Sequence, residues 1–349
     1  MDIITRAVRL SKTAHKILND PIRIKQRDLW FSRLQGVFDG KHVDSPPVVK
    51  GICGRHNDDM LIYSNPEQWV VESLEDLAQN IDLCDDNTIF VPPCVQLDAY
   101  GVHFADSFFG AEPYFDSSSG QWYTKYITAN IGMLKSPDLD SIDAWNIVKR
   151  ATTAFLKQDV SLPLIGLPTI ASALNIAVNL YGEEILAALM LEPNDASRDL
   201  SIINAALTAM HKWFLSALPT KQLQPVLPCE RAQPPGYGQI CGCTSQLVGA
   251  GLYEEHIAPL DNDLLCVYPN GGMIHLCGSH THLIDAFKSM KNLKSIQVND
   301  KAADDLELYH SNLRDDQILY LMPSKDMDVK RALEITKGRR LVVIDKFGQ

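Results

Sequence analysis

His275 and Cys277 stand two residues apart in the run Gly271-Gly272-Met273-Ile274-His275-Leu276-Cys277-Gly278. Met273, Ile274 and Leu276 make this a short apolar strand, and Gly278 ends it. Residues i and i+2 of a strand share a face. The two side chains should therefore point together at the strand's C-terminal end. An imidazole beside a thiolate is a zinc-type ligand pair. The competing reading is packing, because a buried cysteine is also a small apolar residue. Cys241-Gly242-Cys243 follows Tyr237-Gly238-Gln239-Ile240 and places a second pair at another strand end. Two adjacent strands bringing four soft ligands to one rim would make a metal centre. Two small residues at a tight turn are the alternative for Cys241 and Cys243, and the spacing leaves both open.

Other polar residues fall near the same rim. His280 and His282 follow the Gly278 turn, either as polar residues at a helix start or as further ligands. His56, Asp58 and Asp59 come after the first strand and could touch substrate. Asp98 and His103 lie in a loop over the expected cavity mouth, as acid–base groups or as solvated loop polarity. Glu230 and Arg231 sit in a Pro-rich connector ahead of the Cys241 strand, and Asp300 follows a strand directly. Cys53, Cys84, Cys94 and Cys266 read as packing residues.

The elements that must position these groups alternate along the chain. Ile24 to Phe38 reads as an amphipathic helix, Pro47 to Cys53 as a strand, and Pro66 to Asn80 as a helix with proline at its start. Thr88 to Val91 is a strand closed by Pro92-Pro93, and Trp122 to Ile131 is extended. Helix Ser141 to Gln158 and strand Leu162 to Gly166 follow. Thr169 to Leu180, Glu183 to Leu191 and Asp195 to Leu218 are helical, the last capped by Asp195. After the connector Pro225 to Pro235 come strand Gly238 to Cys241, helix Leu252 to Leu265, strand Met273 to Leu276 and helix His282 to Met290. Strand Lys294 to Val298, helix Ala302 to Leu313, strand Ile318 to Leu321, helix Met327 to Thr336 and strand Arg340 to Ile344 complete the chain. A regular β-α series with short loops predicts a parallel sheet. About eight strands favour an α/β fold of the (β/α)8 TIM-barrel kind, spanning 41–349, with an N-terminal helical extension over 1–40. In such a barrel the strands' C-terminal ends carry the active site.

The chain has 349 residues, 46% hydrophobic and 21% charged, which is length enough for a large core. A formal net charge of -11, with no Lys/Arg block, argues against nucleic acid as a partner. Eight cysteines in so long a chain do not form a disulfide scaffold, and residues 1–20 lack a signal-type apolar region, so reduced thiols in a cytoplasm are expected. The longest apolar run, Leu162 to Leu180, is broken by Pro163, Pro168, Asn175 and Asn179, so no membrane span is expected.

Several stretches together resemble the uroporphyrinogen decarboxylase superfamily, over roughly residues 25 to 345. Pro163-Leu164-Ile165-Gly166-Leu167-Pro168 with Tyr181-Gly182-Glu183-Glu184 is similar to its central G-x-P strand and following helix. Tyr253-Glu254-Glu255-His256-Ile257-Ala258-Pro259 is similar to its Y-x-E-F-x-x-P helix, and Ile274-His275-Leu276-Cys277-Gly278 to its H-x-C-G strand end. Phe109-Gly110-Ala111-Glu112 with Trp122 resembles a family hairpin. The resemblance implies the barrel fold. The decarboxylase branch has an arginine motif, of which only Gly54-Arg55 could match. It also has an Asp after an apolar strand, where Val91-Pro92-Pro93 stands here and Asp98 is displaced by several residues. In the branch of zinc-dependent corrinoid and thiol methyltransferases, the His and Cys of H-x-C bind zinc with a third Cys near the C-terminus. No cysteine follows Cys277, so Cys241 or Cys243 becomes the third ligand, with Asp345 next in line. Glu230 matches an acidic position that touches the ligand in related enzymes. The expectation is a zinc-dependent methyltransferase-like enzyme acting on a small molecule or a corrinoid protein. Its metal ligands are His275, Cys277, Cys241 and Cys243, its catalytic candidates Asp98, His103 and Arg55, and its ligand-binding candidates His56, Glu230 and Asp300. A porphyrinogen decarboxylase is one alternative and a barrel without chemistry, acting as a binding module, another. A homodimer stays open.

Overall fold

The computed structural model describes residues 9–41, 45–51, 60–225 and 229–345. Its strands in chain order are β1 (Val48–Lys50), β2 (Cys94–Gln96), β3 (Pro113–Asp116), β4 (Gln121–Thr124), β5 (Leu164–Gly166), β6 (Leu223–Gln224), β7 (Gly238–Cys241), β8 (Gly272–Leu276), β9 (Leu293–Val298), β10 (Ile318–Leu321) and β11 (Leu341–Asp345). Six form a parallel sheet in the order β1-β11-β10-β9-β8-β7. A second parallel sheet runs β2-β5-β6, and β3-β4 is an antiparallel hairpin. Parallel bridges Val49↔Phe90 and Ala171↔Cys241 lie outside these ladders. Helices cross between successive parallel strands, so the molecule is a mixed α/β fold.

The period-2 alternation of the strands divides the core. Val49, Cys94, Leu164, Met273, Ile318, Tyr320, Val342 and Ile344 belong to one apolar cluster, so strands of both parallel sheets share one face. Their sequence neighbours Val95, Ile165, Ile274, Leu319, Leu321 and Val343 join the larger cluster with the crossing helices. Helix Pro21–Phe38 starts where the Asp20 side chain accepts from Ile22 N and Pro21 fixes the first turn. It adds Trp30, Phe31, Leu34 and Val37 to the shared face. Trp30 stacks on Phe90 at 5.6 Å and Phe31 meets it edge-on at 5.5 Å. Each large side chain buried this way contributes roughly 1.5–3 kcal/mol.

Several elements depart from the sequence expectation. The strand foreseen at Thr88 to Val91 shrinks to the single bridge at Phe90, because Pro92 and Pro93 cannot donate to a ladder, and pairing resumes at Cys94. The extended stretch Trp122 to Ile131 ends as strand at Thr124. The helix expected from Leu252 to Leu265 contains a π-type turn at Tyr253–Ile257 before Ala258–Leu265. Pro259 has no N–H for the carbonyl one turn back, which accounts for the widened turn. The long helix starts at Pro193, with Glu192 rather than Asp195 at its cap. Among the described residues no single helix is long and apolar enough to cross a membrane. Helices Ala173–Tyr181 and Glu184–Leu191 pass such a test only together, and they turn by 113° between them.

Candidate metal centre and its cavity

Strands β7 and β8 pair in register with Cys241 opposite His275. Strand β9 puts Gln297 opposite His275 on the other side. The sequence expectation that i and i+2 meet at the end of β8 corresponds to a short contact, since Cys277 Sγ lies 3.1 Å from His275 Nε2. Cys241 Sγ and Cys243 Sγ are 3.5 Å apart. The ligand atoms of Cys241, Cys243 and His275 all lie within 4.8 Å of one another. Gly242 makes this possible. Its N–H donates to the His275 carbonyl at 2.9 Å, and a Cβ there would stand 2.5 Å from Ile274 Cδ1.

A second layer holds these groups. His275 Nδ1 donates to Gln297 Oε1, and Gln297 Nε2 donates to the Val298 carbonyl at 3.2 Å, which sets the amide's orientation. The Nε2 lone pair of His275 therefore faces the cysteines. Asn299 Nδ2 donates to Cys277 Sγ at 3.8 Å. Ser172 caps helix Ala173–Tyr181, and in its first turn Asn175 donates to Cys241 Sγ at 3.6 Å and accepts from Thr244 N at 3.1 Å. His280, fully buried, lies 3.0 Å from the Gly278 carbonyl and 3.2 Å from the Cys243 carbonyl, and as a neutral ring it donates to one of them. Burial pulls its pKa down. His282 contacts the Val248 carbonyl at 3.0 Å. Both histidines beyond the turn thus bind backbone.

The thiols share protons unequally. A hydrogen bond from Cys243 lowers the pKa of Cys277, helped by His275. Cys243 does the same for Cys241. Cys243 itself is pushed far up by these two neighbours and keeps its proton. The deeply placed Arg231 guanidinium is pulled down by burial and back up by Cys241, Glu230, Cys277 and Cys243. The cluster accordingly favours negative charge on two sulfurs, the state in which cysteine ligates a soft cation.

A cavity of about 200 Å³ opens beside the cluster, lined by Cys241 and His275 together with Arg231, Gln239, His211 and Thr169. Of the neighbouring pair Glu230 and Arg231, Arg231 is the one that lines it, while Glu230 packs over Gly51 at the end of β1. Asp98 stands two residues beyond β2, so an acid does follow that strand directly. The sequence placed it too far away because it put the strand before the prolines. Asp98 Oδ1 is buried without a hydrogen-bond partner, and burial raises its pKa to about 6. His103 Nδ1 is committed to the buried Asp106 at 2.6 Å, which Asn179 also holds. That group ties a loop to helix Ala173–Tyr181, and His103 does not line the cavity.

Other expectations are corrected. Asp300 is exposed at the start of a short helix, and its neighbour Asn299 is the residue that reaches the cluster. Asp345 pairs with Lys50 Nζ at 2.9 Å, on a strand separated from β8 by β9 and β10, and supplies no ligand to the cluster. Cys94 is buried and Cys84 half-buried, but Cys266 is exposed. Cys53, Arg55, His56, Asp58 and Asp59 lie outside the described residues. Gln297, Asn175, Asn299 and His211 went unread in the sequence. Strand Leu293–Val298 also carries Lys294 and Ser295, so its sequence does not single out Gln297.

No protein-family model matches this chain, and no curated protein matches it. Among solved structures it is similar to a methyltransferase from Methanosarcina mazei, with a TM-score of 0.61 and 13% identity over 90% of this chain and 91% of the other. At that identity the likeness is one of fold, so the chain has a methyltransferase-like α/β fold.

Proposed function

We propose that this chain is a zinc-dependent methyltransferase-like enzyme of the uroporphyrinogen decarboxylase superfamily, with its two parallel sheets closed into a (β/α)8 barrel. The interior cluster shared by both sheets and the two parallel bridges support closure. One observation carries the functional reading. The Cys241, Cys243, His275 and Cys277 side chains converge at the C-terminal ends of two adjacent strands, beside a cavity.

The donor set fits zinc. Zn–S of about 2.3 Å and Zn–N of about 2.0 Å in a tetrahedron put neighbouring ligand atoms about 3.5–3.8 Å apart. The Cys241–Cys243 and His275–Cys277 separations of 3.5 and 3.1 Å are near that range. His275 and Cys277 would hold the ion with Cys241 or Cys243. Zinc bound there lowers the pKa of a substrate thiol, so that its thiolate can attack a methyl group at neutral pH. Gln297 keeps His275 in the ligating tautomer. Asn299 and Asn175 direct N–H groups at the sulfurs, and Arg231 offsets their charge. Asp98, just beyond β2 and with a pKa of about 6, is ionised at neutral pH and is a candidate for proton exchange.

The reading is tested by incubating the purified protein with a methylated corrinoid and a small thiol, and following demethylation of the corrinoid by its absorption spectrum. Turnover in the wild type that is lost in Cys277→Ala is expected. An intact, zinc-loaded protein with no transfer to any thiol would contradict it.

The presence of four soft donors favours one second reading. If all four bind, the ion has no open position and the site is structural, as in a binding module. Addition of a thiol would then leave the zinc's sulfur count unchanged in X-ray absorption. Porphyrinogen decarboxylation fits less well. Asp98 does follow its strand, but that chemistry makes no use of the soft donors gathered at the ends of β7 and β8.

A further inference from the structure

Zinc that keeps an open position takes three protein donors, and four soft donors stand at this rim. With His275 and Cys277 as ligands, Cys241 and Cys243 compete for the one place left. Metal binding accounts for one of these thiols and leaves the other in surplus. The two sulfurs nevertheless lie 3.5 Å apart.

That separation is the one at which two atoms are poised to react. A disulfide bond of about 2.05 Å needs a further approach of about 1.5 Å. The backbone around the pair is fixed. The Cys241 carbonyl accepts from Ser172 N at 2.9 Å, and Gly242 N donates to the His275 carbonyl at 2.9 Å. Gly242 bends the chain between the two cysteines, with φ at -115° and ψ at 23°. Side-chain rotation at Cys241 and Cys243 therefore supplies most of the approach. Access is one-sided. Cys241 lines the cavity of about 200 Å³, whose wall includes Leu167, Pro168 and Ile170, and Cys243 is not among the lining residues. A small reagent in that hollow meets Cys241 first. Under the proposed function a small thiol occupies this space, and its oxidised form is a small disulfide.

We propose that Cys241 and Cys243 are a two-electron redox pair, which a small organic disulfide entering by this cavity closes into an intramolecular disulfide, stripping a sulfur ligand from the metal site. The pairing rests on the sulfur geometry alone, and the loss of metal rests on the zinc reading. Cys241, as thiolate, attacks one sulfur of the reagent RSSR, and RS⁻ leaves as the new S–S bond forms. The Cys243 sulfur then attacks the Cys241 sulfur and expels the second RS⁻. Each cysteine gives up one proton, and the two protons end on the two RS groups. Two cysteine thiols and RSSR thus become one cystine and two RSH. A sulfur held in a disulfide is no longer a thiolate and does not ligate zinc.

The full chain, freed of metal by a chelator, is treated with 2-hydroxyethyl disulfide, quenched in acid and mapped by chymotryptic digestion and mass spectrometry. Cleavage after Tyr237 and Leu247 separates Cys241 and Cys243 from the other cysteines. Their peptide should lose two hydrogens and carry no hydroxyethylthio group, and a dithiol should restore it. Exposed Cys266 takes up the reagent and reports that it is active. Cys243→Ser should trap the mixed disulfide on Cys241, with Cys243→Ala in its place if the serine variant fails to fold. In the zinc-loaded chain, release of metal to a chromophoric chelator should keep pace with formation of the disulfide. A wild-type Cys241 that keeps the mixed disulfide, a bond from either cysteine to another partner, or an unchanged peptide beside labelled Cys266 would overturn the pair. Disulfide formation with zinc retained would overturn the loss of ligand. A chain that takes up no zinc contradicts the zinc reading alone, and the metal-free mapping still decides the pair.

Discussion

Gln297 accepts the Nδ1 proton of His275 from the adjacent strand and turns the other ring nitrogen toward Cys277, 3.1 Å away. One buried amide thus decides which face of the imidazole can ligate. Such outer partners commonly affect metal affinity by 10–100-fold. Gln297→Leu removes the acceptor while keeping the volume close to that of the original side chain. The variant should fold, and zinc competition with a chromophoric chelator should show affinity weakened by about 10-fold or more. Unchanged affinity would mean that the tautomer is set elsewhere.

Gly242 lets β7 turn tightly against β8. In Gly242→Ala the new methyl would collide with Ile274, which is fully buried. Overpacking of this kind costs about 1–3 kcal/mol. The midpoint of urea unfolding should fall accordingly, and thiol titration should show Cys241 and Cys243 more reactive as their loop shifts. A variant as stable as wild type would show that Ile274 gives way freely.

Asp261 tests the electrostatics of the core away from the site. It is 1% exposed, accepts from Tyr253 OH at 2.8 Å, and burial raises its pKa to about 7. In the unfolded chain it titrates near 3.9. Between roughly pH 4 and 7 the folded state holds a proton that the unfolded state has lost. Stability therefore falls as pH rises through that window and levels off above it. The whole effect is at most on the order of 4 kcal/mol. Asp261→Asn, which can keep the Tyr253 bond, should flatten this dependence and be more stable than wild type at pH 8 but not at pH 4. Parallel melting curves against pH for the two proteins would contradict the assignment.

Strand-level chemistry was legible in the sequence where it was local. The period of two placed His275 and Cys277 on one strand end, and the Cys-Gly-Cys turn pointed to a second pair. Gln297, Asn175 and His211 were not legible, because each reaches the site from another element, through pairings between residues far apart in the chain. Asp98 was misplaced for a different reason. The apolar run Thr88 to Val91 has strand composition, yet the two prolines after it move the ladder on to Cys94–Gln96. Asp300 and Asn299 show the limit of position alone, since adjacent residues at a strand end face opposite ways. The α/β alternation needed only periodicity and turn residues, and it survived these local errors.

The central claim is that the cysteine and histidine cluster is a zinc site. Metal analysis of the purified full chain, with X-ray absorption at the zinc edge, tests it most directly. About one zinc per chain is expected, in a first shell of sulfur with one imidazole nitrogen, and Cys277→Ala should lose most of the metal while keeping wild-type circular dichroism. A wild-type protein that takes up no zinc, or a Cys277→Ala variant that binds it equally well in the same shell, would contradict the account.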